Sequence, residues 1–210
     1  MVDKICEIII KKIRISMPEI DDERAEIINY GLQNIIGEIP KMFLLIIIGF
    51  LLGIGKLTIL SFLLILPYRT FAGGFHLKTH LGCIVGTTAM YCGNALLSKF
   101  IVLEPVYIKY LVIASVWIFG MFMVKFYAPA DTENVPILRK KDRKVKQIMS
   151  YVTLTLSLIV AIFIKSNEIS NLIIFGTLIE SLSITRLAYK LTKNKYGYEV
   201  YNTQTSSNVA

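Results

Sequence analysis

The sequence predicts an all-α fold, a polytopic membrane helix bundle of about six transmembrane helices, some short, preceded by two amphipathic N-terminal helices. Three observations predict it. The 210 residues are 54% hydrophobic with a mean hydropathy of +0.59, more apolar than a soluble domain of this length. The apolar residues are gathered into long runs. The formal charge of +8 is concentrated beside those runs, above all in Arg139-Lys140-Lys141-Asp142-Arg143-Lys144-Val145-Lys146 and at Lys190, Lys193 and Lys195. Such blocks mark cytoplasmic loops against anionic headgroups.

The elements follow in chain order. Residues 2–15 read as an amphipathic helix, with Ile5, Cys6, Ile9 and Ile13 on one face and Lys4, Glu7, Lys11 and Arg14 on the other. Ser16-Met17-Pro18-Glu19 is a break with a capping box, opening a second amphipathic helix over roughly 19–36. Residues 42–66 are almost uninterruptedly apolar, broken at Gly53-Ile54-Gly55-Lys56. Each half of that run has about eleven or twelve residues, short of the ~20 that cross a bilayer. Later segments fall near 81–98, 105–126, 147–165 and 169–187, with Ser166-Asn167-Glu168 as a tight turn. The basic loop 127–146 and the basic C-terminal flank belong inside, and counting back puts 69–80 inside as well. An even number of crossings before residue 69 then favours a short hairpin over 42–66. The chain reads as one integral membrane domain over 1–195, its first 38 residues interfacial. The polar tail 196–210 is expected to be disordered.

Composition also excludes classes. Cys6, Cys83 and Cys92 are too few and too scattered for a disulfide framework, and no His/Cys cluster has zinc spacing. The basic block is short and carries no interleaved aromatics, which argues against a nucleic-acid surface. No cofactor or metal is expected.

The chemistry-bearing stretch is Arg69-Thr70-Phe71-Ala72-Gly73-Gly74-Phe75-His76, followed seven residues later by Cys83. Cys83 lies about one turn inside a helix starting near residue 80, where free N–H groups and the dipole favour a thiolate. The competing reading is packing, since Gly82, Cys83, Gly86 and Gly93 form a small-residue face. The two histidines of the chain are candidate bases. His80 stands three residues before Cys83 and shares its helix face. His76 would be ~10 Å away on a straight helix, and it serves only if the chain bends first. Gly73 and Gly74 allow such a bend. Spacing alone leaves the choice open. Arg69, at a membrane edge, is either a substrate-carboxylate clamp or a positive-inside flank. Glu180 is the one acid well inside an apolar segment, so it should face the bundle interior with a partner, Arg69 or a histidine. Tyr127 to Pro136 is a rigid loop with two prolines and two acids, without catalytic chemistry of its own.

The spacing R-x-F-x-G-G-x-H-x6-C from Arg69 to Cys83, the Tyr-Ala-Pro-Ala-Asp-Thr run at 127–132 and Tyr30-Gly31-Leu32-Gln33 together resemble the accessory gene regulator B (AgrB) family over nearly the whole chain. The resemblance implies a cysteine endopeptidase in the plasma membrane of a Gram-positive bacterium, multi-pass, with its site at the cytoplasmic side. It implies a peptide precursor of the AgrD type as partner, with an amphipathic leader, a central signal segment and an acidic tail. By resemblance, Cys83 attacks the bond before the tail with His76 as general base, leaving an acyl-thioester. The precursor's own cysteine then closes a thiolactone, or a serine a lactone. Gln33, Arg69 and Gly74 fall where the family has required residues, and Gln33 is a candidate donor to the oxyanion. A homodimer is expected from the resemblance and from the glycine-bearing face of 82–93. The rival readings are a small transporter with an Arg69/Glu180 pathway and a non-catalytic membrane scaffold.

Overall fold

The computed structural model describes residues 2–17, 19–77, 79–133 and 136–207. Among these residues all regular structure is helical, in the order α1 (Val2–Ser16), α2 (Asp22–Leu51), α3 (Gly55–Ala72), α4 (His80–Phe100), α5 (Val106–Tyr127), α6 (Lys140–Phe163), α7 (Asn167–Ser183), α8 (Arg186–Leu191) and α9 (Gly197–Ser207). The chain falls into two compact units, Met1–Ile47 and Ile48–Ala210. The first holds α1 and most of α2. Cys6 is buried and Glu7 pairs with Lys11 one turn on, as the amphipathic reading of α1 requires. The second amphipathic helix and the first half of the apolar run 42–66 are one element, since α2 continues through Pro40 for 30 residues.

The second unit is a bundle of α3 to α7 organised around α7, which packs against α3, α4, α5 and α6. Its sequence explains the central place. Ser170, Asn171, Gly176, Thr177, Ser181 and Ser183 are small or polar and all buried, and such residues let helices approach closely within a bilayer. Each finds a use. Gly176 leaves no room for a Cβ beside Ile65 and Asn94. Asn94 Nδ2 donates to Ser61 Oγ (2.8 Å) and to Leu172 O (3.0 Å), and Asn171 Nδ2 donates to Ile101 O (2.7 Å). Helix α5 shows the opposite pattern, with Tyr107, Leu111, Ile118, Phe122 and Phe126 exposed as a lipid-facing surface demands.

Three helical stretches among the described residues are long and apolar enough to cross a membrane, Leu81–Phe100, Val106–Tyr127 and Lys140–Phe163. The expected count of about six is not reached by that criterion; α7, for example, has 17 residues. The break in the first apolar run lies at residues 52–54, with Gly53 at φ 70° between α2 and α3. The two arms are longer than the hairpin expected from sequence. Helix α3 passes Pro67 and ends at Ala72, so Arg69 is in a helical last turn rather than a loop. Helix α6 begins within the basic block, seven residues before the apolar run. At the other end, where composition leads to an expectation of disorder, Gly197–Ser207 form α9. Gly197 packs against the backbone of Thr132, and Arg186 Nη2 donates to Glu199 Oε1 (2.7 Å).

Candidate active site

The site is built where α3 stops. Gly73 closes that helix at φ 80°, and its N–H reaches Arg69 O at 2.9 Å. A single parallel bridge then ties the chain to the 128–132 loop, with Ala130 N–H donating to Ala72 O (2.7 Å) and Gly74 N–H to Ala130 O (3.0 Å). A Cβ on Gly73 would run into the Ala130 carbonyl. Gly74 follows at φ 143°, buried, and a Cβ there would lie 2.8 Å from Ser183 Oγ and 3.3 Å from Arg69 Nη1. Both glycines therefore serve positive φ and close approach at once.

Arg69 organises the next layer. Its Nη1 donates to Glu180 Oε2 at 2.9 Å, and its Nη2 to Phe75 O at 3.3 Å. Glu180 is fully buried on α7. Of the partners expected for this acid, Arg69 or a histidine, the structure pairs it with Arg69. Among the described residues, Glu180 Oε1 and the neighbouring Ser183 Oγ make no hydrogen bond of good geometry. A buried carboxylate depends strongly on its one cation.

The chain from Gly74 to Leu77 has no regular structure. His76 is exposed, and its carbonyl accepts from Asn194 Nδ2 at 2.6 Å. Leu77 turns back along α4. It fills the space a Cβ would take on Gly86, and it lies beside Gly82 as well. Thr79 caps α4, its Oγ1 accepting from Gly82 N–H (3.1 Å), and Cys83 N–H reaches Thr79 O (2.9 Å). Cys83 thus stands half-buried at the end of the first turn, between the two glycines that Leu77 covers. The competing reading of these glycines is a helix-packing face. Thr79 and Leu77 of the same chain occupy its Gly82 and Gly86 end, and Gly93 is open. The backbone of His80 begins α4, and its side chain lies outside the described ones. Gln33 is in α2, in the other unit, and its side chain also lies outside them.

Two groups of residues escaped the sequence reading. The first anchors the 128–132 loop. Asp131 Oδ2 is buried and accepts from Ile137 N–H (2.9 Å), Arg143 Nη1 (3.0 Å) and Tyr198 N–H (3.1 Å). Arg143 also lies over the Tyr198 ring, 4.4 Å from its centroid. The second is α8 and the turn after it. Tyr189 OH donates to Ala130 O (2.8 Å) and reaches Asp131 O (3.1 Å), and its ring stacks on Tyr196 at 4.2 Å. Burial first, and then the neighbouring Tyr196 hydroxyl, push the Tyr189 pKa well up, so it stays a donor at any physiological pH. Neither group has a local sequence signal. No cluster of three or more His, Cys, Asp or Glu side chains occurs among the described residues.

An all-helical bundle with membrane-length apolar helices and a thiol at the start of one of them defines an integral membrane protein. The family model for accessory gene regulator B matches residues 2–184, and the chain belongs to that family, a component of bacterial quorum sensing. It is 28% identical to an AgrB-like protein of Listeria welshimeri over 183 residues, covering 86% of this chain and 87% of the relative. It is 29% identical to one of Clostridium acetobutylicum, covering 79% and 77%, and 28% identical to one of Clostridium perfringens, covering 77% and 76%. No solved structure matches the chain.

Proposed function

We propose that this protein is a membrane cysteine endopeptidase that removes the acidic C-terminal tail of an AgrD-type precursor peptide. Cys83 is the nucleophile and His76 the general base. The Cys83 thiol gives its proton to His76 and attacks the carbonyl before the tail. Collapse of the tetrahedral intermediate breaks the peptide bond, the imidazolium protonates the departing amine, and an acyl-thioester remains on Cys83. A thiol of the signal segment then attacks that thioester, closes a thiolactone, and returns Cys83 to the thiol by proton transfer. Thioester exchange is nearly energy-neutral, so the activation of the cleaved bond survives until ring closure.

The observation that carries this reading is the fold-back of Leu77 over Gly82 and Gly86. It returns the segment bearing His76 to the turn bearing Cys83, the bend without which a base seven residues away is out of reach. Cys83 stands in the first turn of α4, whose N-terminus Thr79 caps. Exposed Arg139, Lys140, Lys141 and Lys144 at the start of α6 suit an acidic substrate tail and an anionic cytoplasmic leaflet. The transporter reading loses its motive, because Arg69 and Glu180 are occupied with each other.

The test is co-expression with a candidate AgrD-type precursor, followed by mass spectrometry of the peptide. Wild type is expected to release the tail and to leave a signal fragment lighter by one water. Cys83→Ala and His76→Ala are expected to leave the precursor intact while still inserting in the membrane. Equal processing by wild type and Cys83→Ala would remove Cys83 as nucleophile.

A further inference from the structure

We propose that Asn194 is a positioning residue for His76, and that the segment 185–198 is a strap that aims this histidine from beyond the stretch matched by the family model. The proposal rests on His76 acting as the base of Cys83.

The geometry is that of two peptide planes. Phe75 O belongs to the plane before the His76 Cα, and His76 O to the plane after it. Arg69 Nη2 holds the first at 3.3 Å, and Asn194 Nδ2 the second at 2.6 Å. Fixing both planes fixes φ and ψ at His76, and with them the direction of its Cα–Cβ bond. The segment has no helix or strand to do this, so two side-chain donors take the place of a backbone ladder.

Asn194 is itself held in place. Helix α8 ends in a Schellman arrangement, with Lys193 N–H donating to Lys190 O (3.2 Å) and Asn194 N–H to Tyr189 O (2.8 Å). Lys193 takes the left-handed position at φ 56°. Asn194 Nδ2 also donates to Thr192 Oγ1 at 2.8 Å, a second bond that holds the amide in the orientation that meets His76 O. Helix α8 is anchored in turn by Tyr189 on the carbonyls of Ala130 and Asp131. Ala130 is the residue that bridges to Gly73. The strap and the loop it aims are therefore fastened to one short piece of backbone. The strap lies past residue 184, where the match to the family model ends.

The test uses the full chain in liposomes and needs no precursor. Alkylation of Cys83 by iodoacetamide is followed on its tryptic peptide between about pH 6 and about pH 9, because a thiolate paired with a nearby imidazolium reacts at lower pH than a lone thiol. His76→Ala is expected to slow alkylation near neutral pH by roughly tenfold. Asn194→Asp, which removes the donor with almost no change of shape, is expected to reproduce most of that loss without lowering the melting temperature. Asn194→Gln, which keeps a donor, is expected to restore most of the rate. Wild-type alkylation in Asn194→Asp beside a slowed His76→Ala would overturn the positioning role alone. Loss in both Asn194 variants together with a fall in melting temperature would make the residue merely structural and overturn it too. Wild-type alkylation in His76→Ala would remove His76 as the partner of Cys83, and this proposal with it.

Discussion

Glu180 Oε2 lies 2.9 Å from Arg69 Nη1 across 111 residues of chain, the carboxylate fully buried and the guanidinium side chain 24% exposed. Removing one member of such a pair leaves the other charge uncompensated, at a cost of about 3–5 kcal/mol. Glu180→Gln and Arg69→Leu are each expected to lower the melting temperature sharply. The double variant Arg69→Met with Glu180→Leu, apolar on both sides, is expected to recover much of that stability. It should not recover Cys83 reactivity, because Phe75 O still lacks its donor. Thermal unfolding and thiol alkylation, measured on the same three samples, separate the two effects.

The two glycines should fail for different reasons. Gly73→Ala sets a Cβ against the Ala130 carbonyl, a backbone atom that cannot rotate away. Gly74→Ala meets Ser183 Oγ at 2.8 Å, a side chain that can turn. Both also carry the strain of positive φ, about 1–3 kcal/mol. Gly74→Ala should therefore be partly rescued by Ser183→Gly, and no side-chain substitution should rescue Gly73→Ala. Melting temperatures of the single and paired variants check this.

Lys193→Gly is expected to stabilise the protein. The residue sits at φ 56° in the turn after α8, where a residue with a Cβ is strained by about 1 kcal/mol and glycine is not. Lys193→Pro should do the reverse, since proline excludes that φ and removes the N–H that reaches Lys190 O. A rise in melting temperature for the first and a fall for the second is the expected pair of results.

Tyr189 sets an alkaline limit on stability. Burial raises its pKa in the folded protein, whereas in the unfolded chain it titrates near its ordinary value of about 10. A group raised in this way contributes fully below the unfolded value, and its contribution is lost as pH climbs above it. Tyr189→Phe should unfold less steeply with rising pH above about 10. At neutral pH it should be less stable by roughly 1–2 kcal/mol, because two buried carbonyls lose their donor. Urea unfolding at several pH values reads both effects.

Much of the bundle was legible because its causes are local. The apolar run of α5, the turn at Ser166 before α7 and the glycine break at 52–54 all act on neighbours a few residues away. Glu180 was legible for a different reason: an acid in an apolar run announces that a partner exists, and Arg69 was one of the few cations near enough to be named. The continuation of α3 to Ala72 was not legible. Arg69 reads as a residue seeking water until Glu180 supplies its countercharge. Gly82 and Gly86 read as a helix-packing stripe, because nothing local says that Leu77 folds back over them. The contact between Asn194 and His76 spans 118 residues. Neither residue type nor spacing encodes it, since a surface asparagine after a short helix is usually only a turn residue. The same holds for Asp131, whose role as an anchor depends on Arg143 and the N–H of Tyr198 arriving from different elements.

The order of synthesis gives the Arg69–Glu180 pair one more meaning. Arg69, His76 and Cys83 leave the ribosome early, with α3 and α4. The acid that holds Arg69 arrives only with α7. A nascent chain that has inserted its first helices therefore carries the thiol and the imidazole without the countercharge that draws their loop into place. For the proposed peptidase this order means that the loop carrying the thiol and the imidazole stays unfastened until α7, and then the strap behind it, have joined the bundle.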